Sequence, residues 1–355
     1  MYLSSLTHLK KLDGPILLTG HTGFKGTWMS FLLEKFEIPV IGYSLPPVND
    51  SLFTWSSRLG VIPETFSDIR DYETLREFIF KFRPSAIIHM AAQPLVLESY
   101  KNPLETFQVN ATGTANILDI ASRTNFVKAI IVVTTDKVYR NENYGRAFTE
   151  TDPLEGKDPY SASKVGAEAA VTAWQSLSRF SESSKIVSVR SGNVVGGGDW
   201  AYDRLIPDLI RGYLNNEATL IRSIESTRPW QHVLDPLRGY LLALDYLLSG
   251  GDFKSMNFGP SENSLSVSDV IDIGRKHLDL KFKEHKLEPS TQSREANLLS
   301  LDAKYAYKTL GWRLNWSQEV ALERTFSFWS SIVSQKSTHV EAISADLNTY
   351  FETPS

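Results

Sequence analysis

Tyr160 and Lys164 stand in the stretch DPYSASKVGAE at spacing i and i+4, which stacks them on one face of a helix. From there the ammonium can depress the phenol's pKa and reach a ribose hydroxyl, leaving Tyr160 as a general base toward a sugar or alcohol hydroxyl. Earlier in the chain, IIVVTTDKVYR (130–140) begins as a strand for a protein interior, β-branched from Ile130 to Thr134, and then delivers Thr135, Asp136 and Lys137. A hydroxyl, a carboxylate and an amine in succession are out of place inside a buried strand and in place where its end meets a ligand. A carboxyl and an ammonium this close oppose each other's neutral forms, so which of the two gives a proton and which takes it stays open.

Such residues need a frame that brings distant segments together. Apolar runs of strand length recur at 15–20, 39–44, 85–92, 128–135 and 185–192, separated by helix-length segments near 24–36, 71–82, 103–123 and 160–178. Continuous apolar strands alternating with helices indicate a doubly wound parallel sheet, an α/β fold of Rossmann type, whose ligands bind beyond the carboxyl ends of the strands. The first run ends in TGHTGFKG, so Gly20, Gly23 and Gly26 follow a G-x-x-G-x-x-G spacing straight into an amphipathic helix. Glycines there let a pyrophosphate approach helix N-terminal amides, and a dinucleotide cofactor is expected. Asp68, after a third strand, is placed to accept from an adenine amino group while the Ile69 amide donates to the ring; Asp71 is the better cap for the next helix. The second strand ends GYSL, with neither an acid for ribose hydroxyls nor an adjacent arginine for a 2′-phosphate, so NAD and NADP stay undistinguished there.

At 355 residues the chain exceeds the size at which one hydrophobic core usually stops growing. The expected division is a nucleotide-binding domain over 1–192, with a return segment at about 232–261 that brings SMNFGP back to the sheet. A smaller substrate-binding lobe is expected from 193–231 and 262–335, followed by a polar, loosely attached tail over 336–355. A net charge of −4 argues against a nucleic-acid surface, which needs a basic patch. The chain has no cysteine, which removes thiolate metal sites, and His21, His89 and His232 show no ligand spacing, so no metal is expected. No signal-like start and no apolar run of roughly 18 residues is present, so the expectation is a cytoplasmic protein with no membrane segment.

Longer strings then match a family. TGHTGFKG, HMAAQPLV, VNATGTANIL, TTDK, YSASK and RSGNVVGGGDW stand in order, and from about residue 14 to 330 the sequence resembles the extended short-chain dehydrogenases/reductases that act on nucleotide sugars. GHTGFKGTW, HMAAQPLV, GNVVGGGDWAYDRLIPD and RPWQHVLDPLRGYL bring it nearest to the 4,6-dehydratases of CDP-glucose type. The resemblance implies NAD as cofactor, held by Gly20, Thr22, Gly23, Phe24, Gly26, Asp68, Ile69, Ala91, Ala92 and Gln93 together with Tyr160 and Lys164. It implies that Thr135 and Tyr160 position the sugar O4 for oxidation at C4, and that Asp136 and Lys137 serve loss of water across C5 and C6 before hydride returns to C6. Dehydratases of dTDP-glucose carry Asp then Glu at this place, the CDP-glucose type Asp then Lys, and epimerases typically lack such a pair.

Asn193, Arg204, Arg228 and Arg294 are the implied contacts to the nucleotide sugar, the arginines because a guanidinium matches a pyrophosphate. Where CDP-type members often read His-Glu-Ala, this chain reads Arg294-Glu295-Ala296. The helices near 103–123 and 160–178 resemble the pair that joins two copies in this family, which implies a homodimer. The alternatives are a dehydratase or 4-epimerase of another nucleotide hexose and a non-catalytic NAD-binding sensor. The last needs neither a base nor its activator, yet Thr135, Tyr160 and Lys164 are all intact.

Overall fold

The computed structural model describes residues 6–142, 145–181, 184–260, 264–284 and 299–352. Its main sheet holds β1 (Ile16–Thr19), β2 (Val40–Ser44), β3 (Glu64–Phe66), β4 (Ala86–His89), β5 (Ala129–Val133), β6 (Lys185–Ser191) and β11 (Ser255–Phe258). The strands are ordered β11-β6-β5-β4-β1-β2-β3, and every pairing is parallel. β5, read AIIVV, is buried along its whole length, because a central parallel strand is covered on both faces. Its residues divide between those faces: Ile131 and Val133 join one apolar cluster, Ile130 and Val132 the other.

The first cluster takes in α1 (Phe24–Lys35) and α9 (Leu234–Leu248), the second α3 (Tyr72–Phe82), α6 (Gly113–Ser122) and α7 (Pro159–Ser181). This is the expected doubly wound sheet, and SMNF returns to it as β11 beside β6. Asp71 caps α3, its carboxylate accepting from the Thr74 amide at 3.1 Å and the Thr74 hydroxyl at 2.6 Å. Three short helices, α2 (Leu52–Trp55), α4 (Val96–Lys101) and α5 (Pro103–Phe107), fill connections. The single helix expected near 103–123 is in fact α5, a π-helical turn over Gln108–Thr112, and α6. Such turns concentrate at functional sites.

Residues after β6 build β7 (Asn193–Val195), α8 (Leu205–Leu214), β8 (Thr219–Ile221), β9 (Thr227–Arg228) and β10 (Trp230–His232). Residues after β11 build β12 (Leu265–Ser266), α10 (Val267–Arg275), β13 (Phe282–Glu284), α11 (Lys304–Leu310) and α12 (Gln318–Val333). The pairs β12-β9 and β13-β8 join these two stretches, while β10 pairs with β7. They close no core of their own: Ile206, Ile221, Val270 and Phe326 belong to the same apolar cluster as Ile131 and α1.

Over its described residues, 336–352, the loosely attached tail expected at 336–355 is wrong. His339–Glu352 form a further helix, α13, that buries Ile343, Leu347 and Tyr350 in the main cluster. Polar composition hid an apolar stripe at positions i, i+4 and i+7. The Tyr350 hydroxyl donates to Asp235 Oδ1 at 2.7 Å, and Asp346 accepts from Arg324 Nε at 2.8 Å. Among the described residues no helix is long and apolar enough to cross a membrane.

Candidate active site

The chain turns from β1 into α1 through Gly20, whose φ of 72° lies in the left-handed region that glycine enters without strain. A Cβ there would stand 2.8 Å from the Ala91 amide nitrogen, and one at Gly26 would stand 2.1 Å from the Gly20 carbonyl oxygen. The loop, the start of α1 and the segment after β4 therefore close on one another with backbone alone. Gly23 is the N-cap of α1 and no side chain caps the helix, so the 12-residue helix presents its first amides and its positive dipole end uncovered. That cradle fits a pyrophosphate. Thr22 is engaged within the loop, its hydroxyl 2.7 Å from Ser44 Oγ and donating to the Leu45 carbonyl at 3.1 Å. Phe24 packs under Gly196, whose Cβ would lie 3.2 Å from its ring.

The ends of β1 and β4 are tied beneath this loop. Thr19 Oγ1 accepts from the Met90 and Ala91 amides, each at 3.1 Å, and bonds His89 Nδ1 at 2.7 Å. Its one proton therefore goes to Nδ1, which leaves His89 Nε2–H to donate to Thr114 Oγ1 at 3.2 Å. Burial pushes His89 down to about 3, so the imidazole is neutral. Ala91, Ala92 and Gln93 follow from this anchored end, all half-buried. The Gln93 side chain turns inward to Leu95 and Thr106, so it shapes the loop instead of reaching out.

Asn110, in the π-helical turn, accepts from the Gln93 amide at 2.8 Å and donates to the Gln93 carbonyl at 3.0 Å and to Ser163 Oγ at 2.9 Å. One side chain thus fixes the loop after β4 against α7, the helix that carries Tyr160 and Lys164. A regular helical turn would aim Asn110 elsewhere, which gives the π turn a purpose.

Thr135, Asp136, Tyr160 and Lys164 come together beyond the carboxyl end of β5, all of them buried. Thr135 caps a short 3-10 turn over Asp136–Val138, and its hydroxyl donates to Asp136 Oδ1 at 3.0 Å. Burial pushes the Tyr160 phenol up to about 12, and hydrogen bonding with the Thr135 hydroxyl opposes the rise. Burial also pushes Lys164 down to about 8, and its amine donates to the Val133 carbonyl at 3.2 Å. Desolvation is the largest influence on both groups. Burial raises the Asp136 carboxyl above the ordinary carboxylate range against the opposing charge of Lys137, which favours a protonated acid there. Lys137 is half-buried beside it.

Below this cluster lies an ion pair. Glu168 of α7 accepts from Arg190 Nε at 2.8 Å and Nη2 at 2.9 Å, and from the hydroxyls of Thr134 at 2.6 Å and Ser188 at 2.7 Å. The carboxylate is buried, yet these four donors hold it below the ordinary carboxylate range. It binds α7, β5 and β6 into one unit directly beneath Thr135.

The outlying residues fall at both sides. Asp68 and Ile69 follow β3 at the far edge of the sheet. The Asp68 carboxylate already accepts from Arg70, from Nε at 3.0 Å and Nη2 at 2.6 Å, a pairing absent from the adenine role expected for it. Arg204 stands at the N-cap position of α8, pairs with Asp199 at 2.8 Å, and its charge acts to lower the Tyr160 phenol. Asn193 opens β7, and Arg228 sits in β9 against Leu265, donating to the Thr227 carbonyl at 2.8 Å. Arg294 lies outside the described residues.

The family model described as GDP-mannose 4,6 dehydratase matches residues 17–325. CDP-glucose 4,6-dehydratase of Salmonella typhimurium is 40% identical over 321 residues, covering 87% of this chain and 88% of that protein. The chain belongs to the GDP-mannose 4,6 dehydratase family. Solved structures agree on the fold of this family member. UDP-glucose-4-epimerase from Stenotrophomonas maltophila, with bound NAD and formylated UDP-arabinopyranose, superposes with a TM-score of 0.78 at 20% identity, covering 92% of this chain and 100% of that one. dTDP-glucose 4,6-dehydratase from Bacillus anthracis, in complex with NAD, gives 0.75 at 20% identity, covering 91% and 98%.

Within this dehydratase family member, the residues that sequence reasoning missed are supports. Asn110 stood in view in VNATGTANIL but needs the π turn to acquire its role. Glu168 and Arg190 lie 22 residues apart, with no spacing rule to couple a helix to a neighbouring strand. Lys25, inside the glycine motif at a position that spacing treats as filler, reaches Ser191 at the end of β6 at 3.1 Å.

Proposed function

We propose that this protein is an NAD-dependent 4,6-dehydratase that converts CDP-glucose to CDP-4-keto-6-deoxyglucose and water. The observation that carries the reading is the buried Asp136, raised toward its acid form and followed by Lys137, beside Thr135, Tyr160 and Lys164 at one strand end. An epimerase needs the tyrosine and the lysine but no group to protonate a departing hydroxyl. Bound NAD would supply the hydride acceptor for C4 and the hydride that C6 regains, and its positive ring would favour the ionised form of the buried Tyr160 phenol.

The protein's own groups do the rest. Tyr160 takes the proton of the C4 hydroxyl, with Thr135 orienting the same oxygen. The C4 ketone acidifies the C5 hydrogen, so one member of the Asp136–Lys137 pair removes that proton while the other protonates the C6 hydroxyl as it leaves as water. The raised Asp136 favours the carboxyl as the acid, and the part of base then falls to Lys137. Water is excluded from the reacting face because Thr135, Asp136, Tyr160 and Lys164 are all buried. Gly20, Gly23 and Gly26 with the α1 amides would hold the pyrophosphate of NAD. Arg204 and Asn193 would face the substrate, and Arg228 its diphosphate.

The cytidine base rests on the 40% identity to the Salmonella enzyme. The test is incubation with CDP-, UDP-, dTDP- and GDP-hexoses and NMR of the product. A 4-keto-6-deoxy sugar from CDP-glucose is the expected result. Preference for another nucleotide corrects the substrate, a C4 epimer refutes dehydration, and tight NAD binding with no turnover of any of them supports a sensor. We further propose a cytoplasmic homodimer built on α5, α6 and α7. Leu97, Tyr100, Leu104 and Phe107 stand exposed beside these helices, at 37%, 46%, 71% and 39%.

A further inference from the structure

Lys25 is the second residue of α1, yet its side chain crosses the crevice. Its amine donates to Ser191 Oγ at 3.1 Å, and Ser191 in turn lies 2.9 Å from the Tyr240 hydroxyl, both partners buried. Asp136 occupies the other side of the same strand end: a Cβ at Gly192 would stand 2.9 Å from Asp136 Oδ2, so glycine there lets the carboxyl lie against the backbone. Charges from four groups act on Lys25, namely Arg204 from the start of α8, Lys164 from α7, Asp136 after β5 and Asp199 after β7. Asp199 is already paired with Arg204 at 2.8 Å, which leaves Asp136 as the carboxyl of this group without a guanidinium partner. Burial, with Arg204 and Lys164 adding to it, pushes Lys25 down to about 7. Lys137 follows Asp136 in the same short turn, so the charges of two amines act on one buried carboxyl.

We propose that Lys25 is a positioning residue for the elimination step, an amine supplied by the dinucleotide loop that sets the electric field at the Asp136 carboxyl. The proposal rests on the dehydratase reading above. It makes the loop that cradles the cofactor one wall of the acid/base site used later in the same turnover. Methionine at this position keeps the apolar stem and removes the charge, whereas arginine restores it. Losing a cation beside a carboxyl raises that carboxyl's pKa, since the charged form loses its attraction.

The experiment measures the pH dependence of water elimination in NAD-loaded wild type, Lys25→Met and Lys25→Arg, read as deuterium entering C5 of the product in heavy water. The midpoint belonging to Asp136 is expected to move up by about half to one pH unit in the methionine variant and to return near the wild-type value with arginine. NAD affinity by calorimetry is expected to change by less than about threefold, because the phosphate cradle is backbone. Equal shifts in both variants indicate a packing role and overturn the proposal, as does a methionine profile that matches wild type. A defect confined to NAD affinity overturns it too. A second readout needs no turnover: in protein labelled with ¹³C at aspartate carboxyls, the resonance missing from Asp136→Asn is titrated with and without Lys25→Met. If no nucleotide hexose is consumed, the dehydratase reading fails, and this titration still decides whether Lys25 acts on Asp136.

Discussion

The ion pair beneath the site carries a quantitative prediction. The carboxylate of Glu168 and the guanidinium of Arg190 are 4% and 5% exposed and share two hydrogen bonds. Glu168→Leu leaves a buried guanidinium with the Tyr139 hydroxyl, at 2.8 Å, as its close remaining acceptor, and takes the acceptor from the Thr134 and Ser188 hydroxyls. Removing one partner of a buried pair costs about 3–5 kcal/mol, because an uncompensated charge stays behind. Arg190→Met should cost less, about 2–3 kcal/mol, since two hydroxyl donors still serve the carboxylate. The double variant removes both charges, so its loss should fall short of the sum by about 2 kcal/mol or more. Urea unfolding of all four proteins measures this coupling. Because Glu168 is held below its ordinary range, its contribution is fully present above the unfolded pKa near 4.5 and is lost as pH falls below that value. Additive losses, or a Glu168→Leu protein within about 1 kcal/mol of wild type, would show that the pair does not hold α7 to the strand ends.

Other outcomes follow from the same geometry. Asp136→Asn and Lys137→Met should each abolish formation of the 4-keto-6-deoxy product while nucleotide-sugar binding by calorimetry persists; unchanged turnover in both would remove their acid/base role. Tyr350→Phe should cost about 1–3 kcal/mol, because Asp235 loses a donor at 2.7 Å and Arg238 Nε loses an acceptor at 3.0 Å. Ending the chain before α13 should leave no cooperative melt, since three side chains that it buries each contribute about 1.5–3 kcal/mol; a wild-type Tm in the truncated protein would refute the docking. Light scattering should give twice 39.9 kDa for the wild type and the monomer mass for Leu104→Glu; a monomeric wild type would refute the dimer.

What the sequence disclosed and what it withheld divide by the range of the interactions. The main-sheet strands were legible because burial on both faces writes continuous β-branched runs such as AIIVV, a local signal. The glycine motif was legible because tight turns need glycine at set intervals. α13 was misjudged on average polarity, although Ile343, Leu347 and Tyr350 already carried helical spacing. The π turn has no such local mark, since it is held by what Asn110 reaches across the fold.

The groups proposed for catalysis were legible as types, and their ionisation was not. Tyr-x-x-x-Lys spacing by itself predicts a depressed phenol, yet burial raises Tyr160 to about 12 and lowers Lys164 to about 8. Spacing reports which groups are neighbours, whereas ionisation also depends on how much water the surrounding elements exclude. The acid role proposed for Asp136 is favoured for the same reason. An exposed pair would settle as carboxylate and ammonium, useless as acid and base. A buried carboxyl raised toward its neutral form can hold a proton for a leaving hydroxyl. Desolvation at the end of β5 thus moves Asp136 toward the acid form that the proposed dehydration needs, and that desolvation is supplied by α7, β6 and the glycine loop, segments far from residue 136 in the chain.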